Sequence, residues 1–132
     1  MMRPNIPTFR NNPGNADNRP NASGRGYDAR WKAAAAKFKR THPCCLGCAA
    51  LNRRVATEIV DHVVPHKGDQ EVFWNASMWQ PSCRWHHDVV KKKLEHLFIQ
   101  GVIAPAALWL DSGTAVSVSI LLAGTGRGFE SL

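Results

Sequence analysis

The chain has 132 residues, which is room for one domain of ordinary size. Its composition, with 44% hydrophobic and 20% charged residues, is that of a globular protein, and no segment reaches the ~18 consecutive apolar residues of a membrane helix. The net charge of +7 is concentrated in residues 1–43, which carry nine basic and two acidic side chains. This one-sided basic excess favours a polyanionic partner, usually a nucleic acid, over a solubilising tail. No secretory signal is evident, so the sequence predicts a cytoplasmic protein.

The predicted elements begin after a polar N-terminal stretch. Residues 1–26 are rich in Asn, Pro, Gly and Arg and lack apolar periodicity, which predicts a disordered basic arm. A helix follows, because apolar residues recur at helical spacing from Trp31 to Phe38. This helix should end before Pro43, since the residue preceding a proline disfavours helical backbone angles.

The middle of the chain predicts a small α+β domain over residues 27–100. Residues 55–64 are β-branched and apolar, which predicts a strand with a tight return. Residues 65–82 lack a clear period and predict a long loop, a feature that is usually functional in a small domain. Residues 85–98 show helical spacing again and predict a second helix.

Residues 101–132 are predicted to form a C-terminal extension. Val116, Val118 and Ile120 alternate with serines, a pattern typical of a short strand. The glycine-rich end predicts a frayed tail.

Two short-spaced pairs of soft ligands predict a zinc site. Cys45-x-x-Cys48 and Cys83-x-x-His86 are separated by 34 residues, and each pair suits a tight turn. Three cysteines and one histidine occupy all four coordination positions of a tetrahedral zinc ion, so the role would be structural. Cys44 competes with Cys45, but the two-residue gap favours Cys45. The alternative is a set of free cysteines with a surface histidine.

A second group of polar residues is suited to phosphodiester hydrolysis. Asp61-His62 ends the predicted strand and His87-Asp88 lies on the later helix. A carboxylate and an imidazole from different elements can hold a divalent cation and leave positions open for water and phosphate. An imidazole beside them that does not bind the metal can act as general base at neutral pH.

In this order, the residues resemble HNH endonucleases of the ββα-metal type, closest to the small nucleases of phages and prophages. The similarity spans about residues 27–96. The segments that carry it are 27–31, 42–48, Asp61-His62-Val63-Val64-Pro65-His66, 73–75, 79–83, His86-His87-Asp88 and Lys91.

The resemblance implies a zinc-stapled ββα-metal fold with two antiparallel strands, a long loop and a helix, here with an added N-terminal helix. It assigns Asp61 and His87 to the catalytic divalent ion, which would be Mg²⁺, Mn²⁺ or Ni²⁺, and His62 to the role of general base. Zinc would be held by Cys45, Cys48, Cys83 and His86. His66 and Asn75 are candidate supporting residues. Candidate DNA contacts are Arg30, Lys32, Arg84, Lys91 and Lys92.

The sequence departs from the family pattern at two positions. His86 stands where the family has its last zinc cysteine, a change that preserves zinc binding because imidazole is a good zinc ligand. Met78 stands where the family has its central asparagine. A thioether cannot donate the hydrogen bonds with which that asparagine fixes the loop of the general base.

We therefore expect a metal-dependent endonuclease that binds duplex DNA through its phosphates, with weak sequence specificity and steep salt dependence. The resemblance places such a protein in a bacterial host cell, with a phage terminase or another packaging protein as partner. Met78 favours an alternative, a zinc-stapled DNA-binding module without catalysis. A structural or assembly protein of a phage, with a vestigial site, is a further alternative.

Overall fold

The computed structural model describes residues 29–124, so the predicted basic arm and frayed tail lie outside the described residues. Helix α1 spans Ala29–Thr41 and ends before Pro43, as predicted. Its apolar face from Trp31 to Phe38 is half-buried, while most of its lysines and arginines are exposed. The helix therefore lies on the surface of the domain with its basic side toward solvent.

A two-stranded antiparallel sheet forms the centre of the fold. Strand β1 spans Ile59–His62 and strand β2 spans Trp79–Ser82, with Asp61 opposite Gln80. The strand predicted over residues 55–64 is present but shorter, because Ala56 makes an isolated bridge with Cys44 instead of extending the ladder. Helix α2, Leu46–Ala50, lies between α1 and β1 in the chain.

The loop predicted over residues 65–82 is largely wrong. Helix α3 spans Gln70–Phe73 and is capped by the Asp69 carboxylate, and a 3₁₀ turn spans Ala76–Met78. Strand β2 then follows directly. All four residues of β2 are buried, so they do not show the alternation that marks a half-exposed strand, and Pro81 further obscures the pattern.

The predicted second helix is confirmed, with a local difference in winding. A π-helical turn spans His86–Lys91 and continues into α4, Lys92–Ile99. Such turns widen a helix locally and are frequent at functional sites. This one carries His86 of the predicted zinc set and His87 of the predicted catalytic set.

The strand predicted around Val116 to Ile120 is wrong, since this segment is part of helix α5, Gly113–Ala123. Ser112 caps the helix by accepting the N–H of Ala115, and a 3₁₀ turn at Pro105–Leu108 precedes it. Helix α5 is apolar on most sides, so its sequence lacks the one-sided period of a surface helix. Within residues 29–124, no helix is long and apolar enough to cross a membrane.

One apolar core joins the predicted central domain to the C-terminal extension. The fully buried core residues are Val63, Val90, Leu94, Leu108, Leu110 and Ala115. Three of these come from the extension, so residues 101–124 belong to the same folded unit as the sheet. The result is a small mixed α/β domain.

Candidate functional site

The four predicted zinc ligands lie together in the interior. Cys48 Sγ is 3.7 Å from Cys83 Sγ and 3.4 Å from Nδ1 of His86, and Cys83 Sγ is 3.5 Å from the same nitrogen. With Cys45 Sγ, these ligand atoms all lie within 4.8 Å of one another, and all four residues are buried. Cys44 is half-buried and does not belong to the cluster. The buried Cys3His cluster could hold a zinc ion.

Local backbone structure prepares the cluster for a metal. Cys45 caps α2, its sulfur accepting the N–H of Cys48 at 3.4 Å, and Cys83 accepts the N–H of His86 at 3.4 Å. Each Cys-x-x-ligand pair is thus a tight turn with both side chains on one side. Gly47 lies against the imidazole of His86, where a Cβ would overlap the ring atoms. Glycine is therefore required at this position.

The three sulfurs share hydrogen bonds around one thiolate. Hydrogen bonds from the thiols of Cys48 and Cys83 lower the pKa of Cys45 to about 3. The hydrogen bond to Cys45 and burial raise the pKa of Cys48 above its usual range. A divalent cation would replace the shared protons, since thiolates are the form that binds metal. This donor set fits zinc and leaves no open coordination position.

Asp61 is the centre of the second predicted site, at the open face of β1. Its Oδ2 accepts hydrogen bonds from Gln80 Nε2 at 2.8 Å and Lys91 Nζ at 2.9 Å. Its Oδ1 lies 3.7 Å from Nε2 of His87. Asp88 accepts the Nδ1 proton of His87 at 2.8 Å, which leaves the Nε2 lone pair directed toward Asp61. One oxygen and one nitrogen are thus available to a shared cation.

His62 lies beside this pair and is held from two sides. Its Nε2 is 3.0 Å from the carbonyl oxygen of Phe73, which can only accept, so Nε2 carries the proton and Nδ1 has the lone pair. The ring of Trp31 stacks on the imidazole at 5.3 Å between centroids. Burial lowers the pKa of His62 below 6.5, so the ring is neutral at pH 7. A neutral, oriented imidazole is suited to accept a proton.

His66 extends the site on the far side of His62. The two rings lie 4.9 Å apart, and the N–H of Gly68 donates to Nδ1 of His66 at 2.9 Å. In the neutral ring, Nε2 therefore carries the proton. Burial also lowers the pKa of His66. The backbone turn that makes this contact has φ of +87° at Gly68, a conformation that favours glycine.

These side chains line an open cleft of about 520 Å³. Its walls include Asp61, His62, His66 and His87, which brings the second predicted site together. Lys39 and Lys67 also line the cleft, together with Glu58 and Glu95, so basic and acidic side chains both surround the candidate catalytic groups.

Asn75 is not brought to the general-base candidate. Its Oδ1 accepts the N–H and hydroxyl of Ser77, so the side chain caps the 3₁₀ turn. The carbonyl of Phe73 holds His62 instead. Met78, where the sequence resemblance would place an asparagine, packs its side chain against the apolar core. The backbone of this loop therefore performs the orienting role expected of an amide side chain.

The five candidate DNA contacts differ in solvent exposure. Arg30, Lys32, Arg84 and Lys92 are exposed. The Arg30 guanidinium lies 3.9 Å over the ring of Trp74, and Arg84 Nη1 is 3.9 Å from the Asp88 carboxylate.

Lys91 was expected to contact DNA, but its side chain is buried. It is 1% exposed, so it does not lie on the surface where a DNA phosphate could reach it. Its Nζ donates to Asp61, to the carbonyl of His62 and to Glu95, the last two at 2.8 Å. These acceptors satisfy all the protons of the ammonium group. Its role is to fix the candidate active site.

Sequence analysis missed several residues that support the two sites. Gln80 is fully buried and joins Asp61 to the Leu108 carbonyl and the Leu110 N–H. Trp31 covers His62, and Ser119 contacts His86 from α5. The sequence offered one signal for Gln80, which lies three residues before the predicted zinc ligand Cys83. The Ser119 contact had none, because it depends on how α5 packs.

Searches of protein-family models, of curated proteins and of solved structures found no significant match to this chain.

Proposed function

We propose that this chain is a metal-dependent DNA endonuclease of the HNH type, which hydrolyses phosphodiester bonds. The observation that carries the proposal is the arrangement of Asp61, His62 and His87 in one cleft. The Asp61 carboxylate and the His87 lone pair are directed toward each other, while His62 is neutral and held separately. Two ligands for one divalent cation and a separate general base are the groups that metal-assisted hydrolysis at phosphorus uses.

Each residue has a distinct role in the proposed reaction. Asp61 Oδ1 and His87 Nε2 would hold a divalent ion, Mg²⁺, Mn²⁺ or Ni²⁺. Such an ion supplies charge stabilisation at the phosphate and the leaving oxygen. His62 accepts the proton of the attacking water at Nδ1, and the Phe73 carbonyl keeps the ring in the required tautomer. His66, which lines the cleft beside His62, would be a supporting residue.

Binding of the duplex is assigned to the basic residues outside the cleft. The exposed candidates are Arg30, Lys32, Arg84 and Lys92. Lys39 and Lys67 add charge at the cleft itself. Because such contacts go to phosphates, we expect affinity to fall steeply with salt and to depend weakly on sequence. The Cys3His cluster would hold a structural zinc ion. A packaging partner such as a terminase is suggested by the family resemblance alone.

Cleavage of supercoiled plasmid tests the proposal. Zinc-loaded protein is incubated with Mg²⁺, Mn²⁺ or Ni²⁺, with EDTA as the metal-free control. We expect nicked or linear product that requires the ion, and a rate at least about 10²-fold lower in His62→Ala, the usual contribution of a general base. His96→Ala is the matched control, because His96 is an exposed histidine on α4. Equal cleavage by His62→Ala would contradict the mechanism.

Two observations favour the alternative, a zinc-stapled DNA-binding module without catalysis. Met78 replaces the family's asparagine, and the buried Lys91 ammonium already neutralises Asp61 at 2.9 Å. This alternative predicts zinc binding and a shift of DNA in a gel without metal-stimulated cleavage. Met78→Asn would then separate the causes, since recovery of cleavage assigns the loss to that side chain.

A further inference from the structure

The imidazole of His86 has a second polar contact on the side away from the sulfurs. Nε2 lies 3.2 Å from the hydroxyl oxygen of Ser119, a 1% exposed residue on α5. The same hydroxyl donates to the carbonyl of Ala115 at 2.7 Å. The histidine at the end of the ligand set is therefore fixed by a helix that the sequence places outside the predicted central domain.

The Ser119 hydroxyl has one proton, and its partner determines the tautomer of His86. Because that proton is donated to the Ala115 carbonyl, the oxygen can only accept from the imidazole. Nε2 must then carry the imidazole proton, and the lone pair lies on Nδ1. Nδ1 is the atom that faces Cys48 and Cys83, at 3.4 and 3.5 Å.

We infer that Ser119 is a positioning residue of the metal centre, which holds His86 in the Nδ1-ligating tautomer and so couples the packing of α5 to metal affinity. The inference rests on the proposed zinc site. A hydrogen-bond acceptor on the outer nitrogen of a ligating histidine orients the ring and makes the ligating nitrogen more basic. A cysteine as fourth ligand would have no tautomer to select. The proposed role of Ser119 therefore arises from the presence of His86 at this position.

Zinc affinity measured by competition with a chromogenic chelator tests this role. We expect Ser119→Ala to weaken zinc binding by about 10- to 100-fold, the usual effect of removing such a partner. Ser117→Ala is the matched control, since Ser117 is an exposed serine on the same helix and should keep wild-type affinity. Alanine favours helix more than serine does, so a change in α5 helicity would not explain a loss.

A double-mutant cycle distinguishes tautomer selection from a general packing effect. His86→Cys replaces the imidazole by a thiolate, and four cysteines are also a tetrahedral zinc set. In that background we expect Ser119→Ala to change zinc affinity less than about twofold, because no imidazole remains for it to orient. An equal loss in both backgrounds, or no loss in either, would overturn the inference.

Nitrogen-15 NMR of the zinc-loaded wild-type protein tests the geometry without any variant. We expect the proton of His86 on Nε2 and the metal-induced shift on Nδ1. Metal ligation through Nε2 would overturn the assignment to Ser119 while leaving the zinc site intact. Absence of zinc binding by the wild-type protein would overturn the zinc site itself, so the two failures are distinguishable.

Discussion

The two carboxylate oxygens of Asp61 have different surroundings, one in the interior of the fold and one at the cleft. Oδ2 is committed to Gln80 and Lys91, while Oδ1 faces His87. Asp61 is 5% exposed, so its charge requires both partners. In the proposed role as a metal ligand, Asp61 would not need to reorganise when a cation arrives, which would favour a site of fixed geometry.

Lys91→Met tests the structural role of the buried ammonium. Removing it leaves Asp61 as an unpaired buried charge, and we expect the free energy of unfolding to fall by about 3 kcal/mol or more. Lys92→Met is the matched control, because Lys92 is the exposed neighbour and should change stability by less than about 0.5 kcal/mol. Urea denaturation monitored by tryptophan fluorescence measures both. Equal stability of the two variants would contradict the buried assignment.

The lowered pKa of His62 makes the stability of the folded protein depend on pH. Burial lowers its folded pKa below the unfolded value of 6.5, so the unfolded chain binds the proton more readily. Its contribution to stability is therefore complete above pH 6.5 and is lost as the pH falls through the folded pKa.

NMR titration of the His62 ring measures this pKa directly. We expect a midpoint below 6.5, and we expect the acid-side loss of stability to be smaller in His62→Gln, which does not titrate. Cleavage by the proposed mechanism should follow the same midpoint, since only the neutral ring accepts a proton. A midpoint at or above 6.5 would contradict the assignment of His62 as a buried neutral base.

At the scale of elements, the π-helical turn divides adjacent histidines between two sites. His86 points to the sulfurs and His87 to the cleft, because consecutive residues on a helix face different directions. Lys91 lies four residues after His87 and so returns to the Asp61 side. A single turn thereby links the Cys3His cluster to the candidate active site.

Gly47→Ala tests how tightly α2 packs against this turn. A Cβ at this position would overlap the His86 ring, so the imidazole must shift from the sulfurs. We expect a loss of about 1–3 kcal/mol in stability together with weaker zinc binding. Gly113→Ala makes the same change at the start of α5, where a Cβ meets nothing within 4 Å, and should leave both unchanged. Thermal unfolding with and without added zinc measures the difference.

Local sequence signals predicted some elements and failed at others for physical reasons. Helix α1 has an amphipathic period and a proline after its end, so its bounds could be predicted. Helix α5 has apolar residues on most sides, Ile120 and Leu121 being exposed, and contains β-branched residues, so its sequence resembled a strand. Its N-cap, Ser112 before a long apolar run, was the signal that would have indicated a helix.

At the scale of the whole molecule, the sites depend on contacts between distant segments. The two zinc pairs and the Asp61-His62 dipeptide could be predicted because short spacing determines their local geometry. The contacts of Gln80, Lys91 and Ser119 could not, because each depends on packing between elements far apart in the chain. Residues 101–124 were expected to be an extension, yet they complete the core, contact His86 through Ser119 and hydrogen-bond to Gln80, the partner of Asp61.

Two candidate metal centres of different kind lie in this small domain. The Cys3His cluster is buried and closed, whereas the Asp61 and His87 pair opens on a cleft with room for water and phosphate. A closed centre would maintain the fold, and an open one would support chemistry. Substitution at the open centre should therefore leave the closed centre intact.

Titration of zinc-loaded protein with Mn²⁺, followed by electron paramagnetic resonance, tests this division most directly. We expect one bound Mn²⁺ in addition to zinc. We also expect His87→Ala to abolish Mn²⁺ binding while zinc content and folding are retained, since the His87 side chain is 40% exposed and outside the core. Absence of bound Mn²⁺ in the wild-type protein, or loss of zinc together with Mn²⁺ in His87→Ala, would contradict the proposed division between a structural and a catalytic metal site.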